Sequence, residues 1–244
     1  MMFSKRKTIR KYSAQTVDDS LLHALLAEAE QTQTMGNLQL YSVVVTRSDE
    51  MKRQLAPAHF NQSMVTGAPV VLTFCADYRR TTDWCNLRKA HPGYGNFLSF
   101  INAATDALLY CQTFCNLAEQ AGLGLCFLGT TVYNPQSIIK TLHLPRLVMP
   151  VATITLGWPD ETPEASDRLP LEAILHEETY SEYTPEDIDK YYTPKESLEV
   201  NRNFVKINNT ETLAQIFTDI RYTQKDCEAM STGLLAALKQ QGFL

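Results

Sequence analysis

The chain has 244 residues, 44% hydrophobic and 20% charged, with a formal net charge of −5. That balance suits a globular protein with room for one large core or two small ones. It lacks the basic excess of a nucleic-acid binder, and no run approaches the roughly 20 apolar residues that span a bilayer.

The opening residues are charged, with no leader-type apolar run behind them. Six cysteines, at 75, 85, 111, 115, 126 and 227, form neither a Cys-x-x-Cys pair nor a zinc-like spacing with histidine. A reducing, cytoplasmic setting, no bound metal and packing roles for all six thiols are the expectation.

Taken in chain order, the first notable stretch is Arg6-Lys7-Thr8-Ile9-Arg10-Lys11-Tyr12-Ser13. If extended, it puts Arg6, Thr8 and Arg10 on one face. Two guanidinium forks around a hydroxyl suit a phosphate; a solvated basic run accounts for the same residues without a ligand. Residues 18–31 then predict a helix, with Leu21, Leu22, Leu25, Leu26 and Ala29 on one stripe and Asp18 or Asp19 as cap. A polar loop leads to a β-branched strand at 40–46, a short helix at 48–55 and a second buried strand at 68–76. Residues 97–121 give the longest helical pattern, apolar on two faces and ending at Gly122, which makes it a central helix or an interface helix. A short strand and turn at 123–131, a helix behind Asn134 and Pro135, and a strand at 149–159 follow.

After Pro159 the composition turns polar. Residues 160–168 read as a loop. Residues 180–210, with four tyrosines and little periodicity, read as an arm over a surface, and 211–220 and 223–242 as closing helices. The class is α+β, with a mixed central sheet flanked by helices.

Three further fragments carry possible chemistry. Asn61 and Gln62 precede a buried strand, where an amide can read a heteroaromatic edge or bond its own loop. Gly122–Thr131 lets backbone approach a flat ligand, but its glycines enter a strand, the reverse of a dinucleotide fingerprint. Arg168 lies in a late loop.

In order and spacing, "RKTIRKYS", "TMGNLQ", "NQSMVTGAPVVLTFCADYRR", "AEQAGLGLCFLG", "LHLPRLVMPVATITLGWPDETP" and "RLPLEAILHEETY" resemble the FMN-dependent nitroreductase family, in its larger NADPH-dependent nitroreductase/flavin reductase branch. The resemblance covers residues 3–183 well. It implies a nitroreductase-like FMN-binding core at 1–170 and a C-terminal extension at 171–244, packed on the core and on a partner subunit. It also implies a homodimer with the long helix at its interface.

The implied activity is an NAD(P)H oxidoreductase. NADPH or NADH gives hydride to N5 of bound FMN, and nitroaromatics, quinones or similar planar acceptors are reduced. A flavin reductase supplying free reduced flavin, or a non-catalytic FMN-binding protein, are the alternatives. No side chain is required as a catalytic acid, base or nucleophile.

Residue by residue, Arg6 and Thr8 match phosphate-binding positions. Arg10 matches a cation near the pyrimidine edge and ribityl chain. Thr34 and Gly36 match a cofactor-contacting loop, and Asn61 matches a ring-edge amide. Phe127, Leu128, Gly129 and Thr130 match the segment beside N5, and Arg168 a further phosphate ligand. Arg202 lies where this branch places basic residues for the NADPH 2′-phosphate. Ser166 stands where many relatives carry a basic residue, so one phosphate-neutralising charge is absent. Some relatives carry histidine where Arg6 stands, so Arg6 is expected to compensate in part; Ser166→Lys is expected to tighten FMN binding, read as a fluorescence-titration Kd, and an unchanged or weaker Kd would refute this compensation.

Overall fold

A computed structural model describes residues 6–244; residues 3–5 of the resemblance lie outside them. Contacts divide the chain into two units: residues 6–164 with Met230–Leu244, and Ala165–Ala229. The sequence boundary at 170 grouped 171–244 as one extension, whereas residues 230–244 here belong with the first unit.

The first unit holds α1 (Asp19–Ala29), β1 (Tyr41–Thr46), α2 (Asp49–Leu55), α3 (Ser63–Gly67), β2 (Val70–Asp77), α4 (Arg79–Leu87), α5 (Phe97–Gln120), β3 (Gly124–Leu128), α6 (Pro135–Thr141) and β4 (Val148–Gly157). The strands pair in the order β1-β2-β4-β3. Every pairing among the described residues is antiparallel, where a mixed sheet was expected. None of these pairings is a tight hairpin: α2 and α3 lie between β1 and β2, α6 between β3 and β4, and α4, α5, β3 and α6 between the neighbours β2 and β4.

Alternation along each strand separates two apolar layers. Val70, Leu72, Phe74 and Ala76 of β2, with Ala152, Ile154 and Leu156 of β4, pack under α1 and α5. Cys126 and Leu128 of β3 face the other way, onto Leu55, Val65 and Ile138. The central helix α5 opens on Asn96, whose side chain accepts from Ser99 N at 2.9 Å, and closes before Gly122 at φ +85°. Tyr110 stacks on Tyr41 with ring centroids 4.2 Å apart and donates to the Leu26 carbonyl at 2.8 Å. One rotamer thus joins helix, strand and α1.

A facing glycine pair, Gly124 and Gly157, closes one end of the β3–β4 ladder. A Cβ on Gly124 would lie 2.7 Å from the Ile9 side chain, and one on Gly157 would lie 2.6 Å from Pro69 and 2.9 Å from Tyr12. The bare backbone is what lets the 6–13 segment lie against the sheet.

In the second unit, the expected arm at 180–210 is two helices instead: α7 (Pro185–Glu196) and α8 (Glu199–Asn208). A capping box between Thr184 and Asp187 and a proline in the first turn start α7. Asn209 in the left-handed region ends α8. The short α9 (Leu213–Gln215) runs into a π turn at Ile216–Arg221, and α10 (Gln224–Gln241) carries the chain back to the first unit. No helix among the described residues is long and apolar enough to cross a membrane. Five cysteines are buried as expected, but Cys227 is exposed.

Gly124→Ala should cost about 1–3 kcal/mol through overpacking against Ile9, a fall in Tm of roughly 2–10 °C. Gly93→Ala, where an added Cβ meets open space, should leave the melt unchanged within error.

Candidate functional site

Ile9 fixes the register of the 6–13 segment. It is buried, and its N–H donates to the Leu125 carbonyl of β3 at 3.0 Å. The chain then crosses toward the end of β4, where Tyr12 bridges Pro159 and Ser13 N–H donates to the Trp158 carbonyl at 2.9 Å. The Tyr12 hydroxyl donates to the Ile9 carbonyl (2.8 Å) and shares a hydrogen bond with Thr155 Oγ1 (2.6 Å). Burial pushes that phenol well above its ordinary pKa, so it stays a neutral donor.

Two expected cations ride on this segment. Arg6 Nε lies 3.3 Å from Glu119 Oε1 in the last turn of α5. Burial raises the Glu119 carboxyl pKa, and Arg6 opposes that rise. Arg10 is exposed. Its guanidinium faces the Cys126 thiol, whose pKa burial raises against the pull of Arg10. The backbone N–H groups of Arg10 and Lys11 donate to Glu161 Oε1 at 2.5 and 3.0 Å. Those bonds hold the Glu161 carboxyl below its usual range. The carboxylate grips backbone, so it leaves the Arg10 side chain available. Thr8 is half-buried between the two arginines in sequence.

Beyond β3, Phe127 is 46% exposed, Leu128 is buried, and Gly129 and Thr130 begin a 3₁₀ turn ending at Val132. A Cβ on Gly129 would meet nothing within 4 Å, so the backbone there faces open space. A second 3₁₀ turn, Ala56–His59, packs beside it. It ends in two consecutive left-handed residues, Phe60 and Asn61, both at φ +53°. Asn61 N–H donates to the Ala56 carbonyl at 2.8 Å, and its side chain is exposed. His59 is fully buried, with Nδ1 2.8 Å from Thr130 Oγ1. Burial lowers its pKa from 6.5 to about 4.

Thr34 and Gly36 sit in the loop before β1, Gly36 at φ +55°. That loop is tied to α5. Asp106, buried, accepts from Met35 N at 2.8 Å and Leu40 N at 3.2 Å, and Thr113 Oγ1 donates to Thr32 Oγ1 at 3.0 Å. Asp106 precedes Glu119 by 13 helical residues, about 20 Å along the axis. The loop is thus anchored along α5 between Asp106 and Thr113, ahead of Glu119 and its partner Arg6.

Arg168 and Arg202 belong to the second unit. Arg168 Nη1 donates to the carbonyls of Ser166 (3.2 Å) and Asp167 (2.8 Å). The Asp167 carboxylate is paired with Lys195 at 2.7 Å, so it does not neutralise Arg168. Arg202 lines a groove of about 270 Å³ with Glu196, Glu211 and Thr212; two carboxylates share the lining with that one cation.

Four side chains that shape these segments are absent from the sequence expectations. Asp106 had a visible signal, an acid in the middle of an apolar helix. His59, Glu119 and Glu161 had none, because their partners are distant in sequence.

The residues present fit a flat, anionic ligand. Two arginines lie on the segment bonded to β3, an unobstructed glycine edge follows β3, and Glu161 bonds the backbone of Arg10 while Arg6 is paired with Glu119. The sequence model of the nitroreductase family matches residues 3–158. The fold superposes on a crystal structure of a Bacteroides fragilis NCTC 9343 protein with a TM-score of 0.99, at 58% identity over 100% of this chain and 99% of that one. Among curated relatives, an FMN reductase [NAD(P)H] of Bacillus subtilis strain 168 is 31% identical over 71% of each chain. An oxygen-insensitive NADPH nitroreductase of Salmonella typhimurium LT2 is 30% identical over the same shares.

The depressed His59 pKa sets a pH dependence. Above pH 6.5 the folded and unfolded chains both hold a neutral ring. Between 6.5 and about 4 only the unfolded chain takes up the proton, so stability falls as pH drops through that window and levels off below it, by about 3 kcal/mol in all. His59→Asn should remove this component from the pH dependence of chemical unfolding.

Proposed function

Because this chain belongs to the nitroreductase family, we propose that it is an FMN-dependent NAD(P)H oxidoreductase acting on planar acceptors such as nitroaromatics and quinones. The observation that carries the proposal is the 6–13 segment, whose Ile9 N–H donates to Leu125 of β3 and whose Arg10 faces Cys126 of the same strand. FMN, when bound, supplies a ring that takes hydride at N5 and passes electrons on. Each protein group then has a binding or orienting task.

Arg6 and Thr8 would hold the phosphate. Arg6 exchanges its partly exposed carboxylate partner, Glu119, for a dianion, and charge-assisted bonds of this kind contribute roughly 1.5–3 kcal/mol each. Arg10 would place fixed positive charge at the pyrimidine edge, where negative charge grows on reduction. Asn61, with backbone already set by the left-handed turn, would read the ring edge. Phe127, Leu128, Gly129 and Thr130 would present backbone to the ring, and Arg168 would add a phosphate contact. None of these groups moves a proton by itself. NADPH and NADH both serve as donors in this reading. Glu196 and Glu211 flank Arg202, so a 2′-phosphate gains little there.

The same proposal includes a homodimer in the cytoplasm. Leu98, Ile101, Leu108 and Leu109 are exposed along α5, an apolar stripe of the kind that packs on another chain. In this reading the loop carrying Thr34 and Gly36, anchored on α5 by Asp106 and Thr113, completes the site of a second copy. The name of the Bacillus subtilis relative favours one close variant of the reaction, release of reduced flavin. Comparing kcat/KM for free FMN and for a nitroaromatic separates the two.

The purified protein, reconstituted with FMN, should show bound-flavin absorption that anaerobic NADPH bleaches rapidly. Arg6→Gln and Arg10→Gln should each weaken FMN about 10- to 100-fold while riboflavin, which lacks the phosphate, loses affinity only with Arg10→Gln. A protein that stays colourless with added FMN, or a bound flavin that NAD(P)H leaves oxidised, would overturn the assignment.

A further inference from the structure

Two side-chain hydrogen bonds stitch the Ala56–His59 turn to the turn after β3. His59 Nδ1 meets Thr130 Oγ1 at 2.8 Å, and Asn134 Nδ2 donates to the Ala58 carbonyl at 3.1 Å. Asn134 stands at the cap position of α6 without capping it, so its amide serves the stitch instead. The two turns carry Asn61 at one end and Gly129–Thr130 at the other, both assigned to the ring edge.

His59 is 0% exposed, and its Nε2 has no partner among the described residues. This constrains the tautomer. A proton on Nε2 would bury an unpaired N–H, whereas a proton on Nδ1 leaves only an unpaired ring acceptor at Nε2, which native interiors tolerate better. With Nδ1–H donating, Thr130 Oγ1 is the acceptor. The Thr130 hydroxyl hydrogen is then directed away from His59, and Thr130 is only half-buried.

We propose that His59 is a positioning residue: a neutral imidazole that locks the Thr130 side chain as a hydrogen-bond donor and pins the Gly129–Thr130 backbone to the segment bearing Asn61. This rests on the flavin reading above. A hydroxyl held as a donor beside an open glycine edge suits an acceptor atom on the rim of a flat heteroaromatic ring. A purely structural histidine would stabilise the fold without affecting that rim.

The test measures FMN Kd by fluorescence titration, the visible spectrum of the bound flavin and the Tm, in wild type, Thr130→Val, Thr130→Ser, His59→Asn and His59→Leu. Thr130→Val should weaken FMN about five- to tenfold with little change in Tm and shift the flavin spectrum, while Thr130→Ser stays near wild type. His59→Asn, whose amide can replace Nδ1, should bind better than His59→Leu, and the Thr130→Val/His59→Leu pair should be no weaker than the weaker single variant. Wild type that binds FMN, with Thr130→Val indistinguishable from it, would overturn the positioning role and leave the cofactor reading intact. Wild type that does not bind FMN would overturn both. Additive losses in the double variant would likewise refute the shared mechanism, and because Thr130→Val alters a half-exposed side chain, a folding failure of His59→Leu does not remove the test.

Discussion

The site depends on a steric permission. Ile9 occupies the volume that a side chain at Gly124 would fill, and the single backbone bond from Ile9 to Leu125 sets the register of everything nearby. Arg6 lies three residues to one side and Arg10 one residue to the other. Arg6 meets Glu119, and Arg10 faces the Cys126 thiol. Glu161 completes the arrangement from more than a hundred residues away, by accepting the N–H groups of Arg10 and Lys11 that the sheet edge leaves over. Arg10 is therefore mounted on backbone that is itself hydrogen-bonded, which limits the conformational entropy to be lost on binding an anion.

Electrostatics around the segment is divided between backbone and side chains. Glu161 spends its charge on peptide N–H groups. Asp167 spends its charge on Lys195. Glu119 faces Arg6 directly, from the end of α5 where the helix dipole is negative. An anion at Arg6 must compete with that pair, so affinity for the ligand and the resting structure of the segment are linked.

Much of the first unit was legible because local pattern and tertiary role agree. The β-branched runs became β1, β2 and β4, and the two-faced apolar stretch became α5, stopping at Gly122 as its φ requires. The helices at 185–208 were missed although Thr184, Pro185 and Asp187 spell a start signal. The polar faces and interspersed tyrosines hid the stripe of Val200, Phe204 and Ile207 on α8, whose exposure shows that little in its own unit buries it. At the site, the arginines were legible as chemistry, but His59 was not. A histidine's role is fixed by burial and by a partner 71 residues on, and neither leaves a local trace.

The last turn of α10 bears on how the protein is made. Gln241 Nε2 donates to the Pro145 carbonyl at 2.7 Å and also to that of Val148, its own carbonyl accepts from Leu147 N, and Phe243 is wholly enclosed among the residues under the sheet. The first unit thus needs a piece that a ribosome delivers only after the entire 165–229 stretch. Until the second unit has emerged, the layer that α1 and α5 form against the sheet lacks the Ala237, Leu238 and Phe243 side chains that complete it.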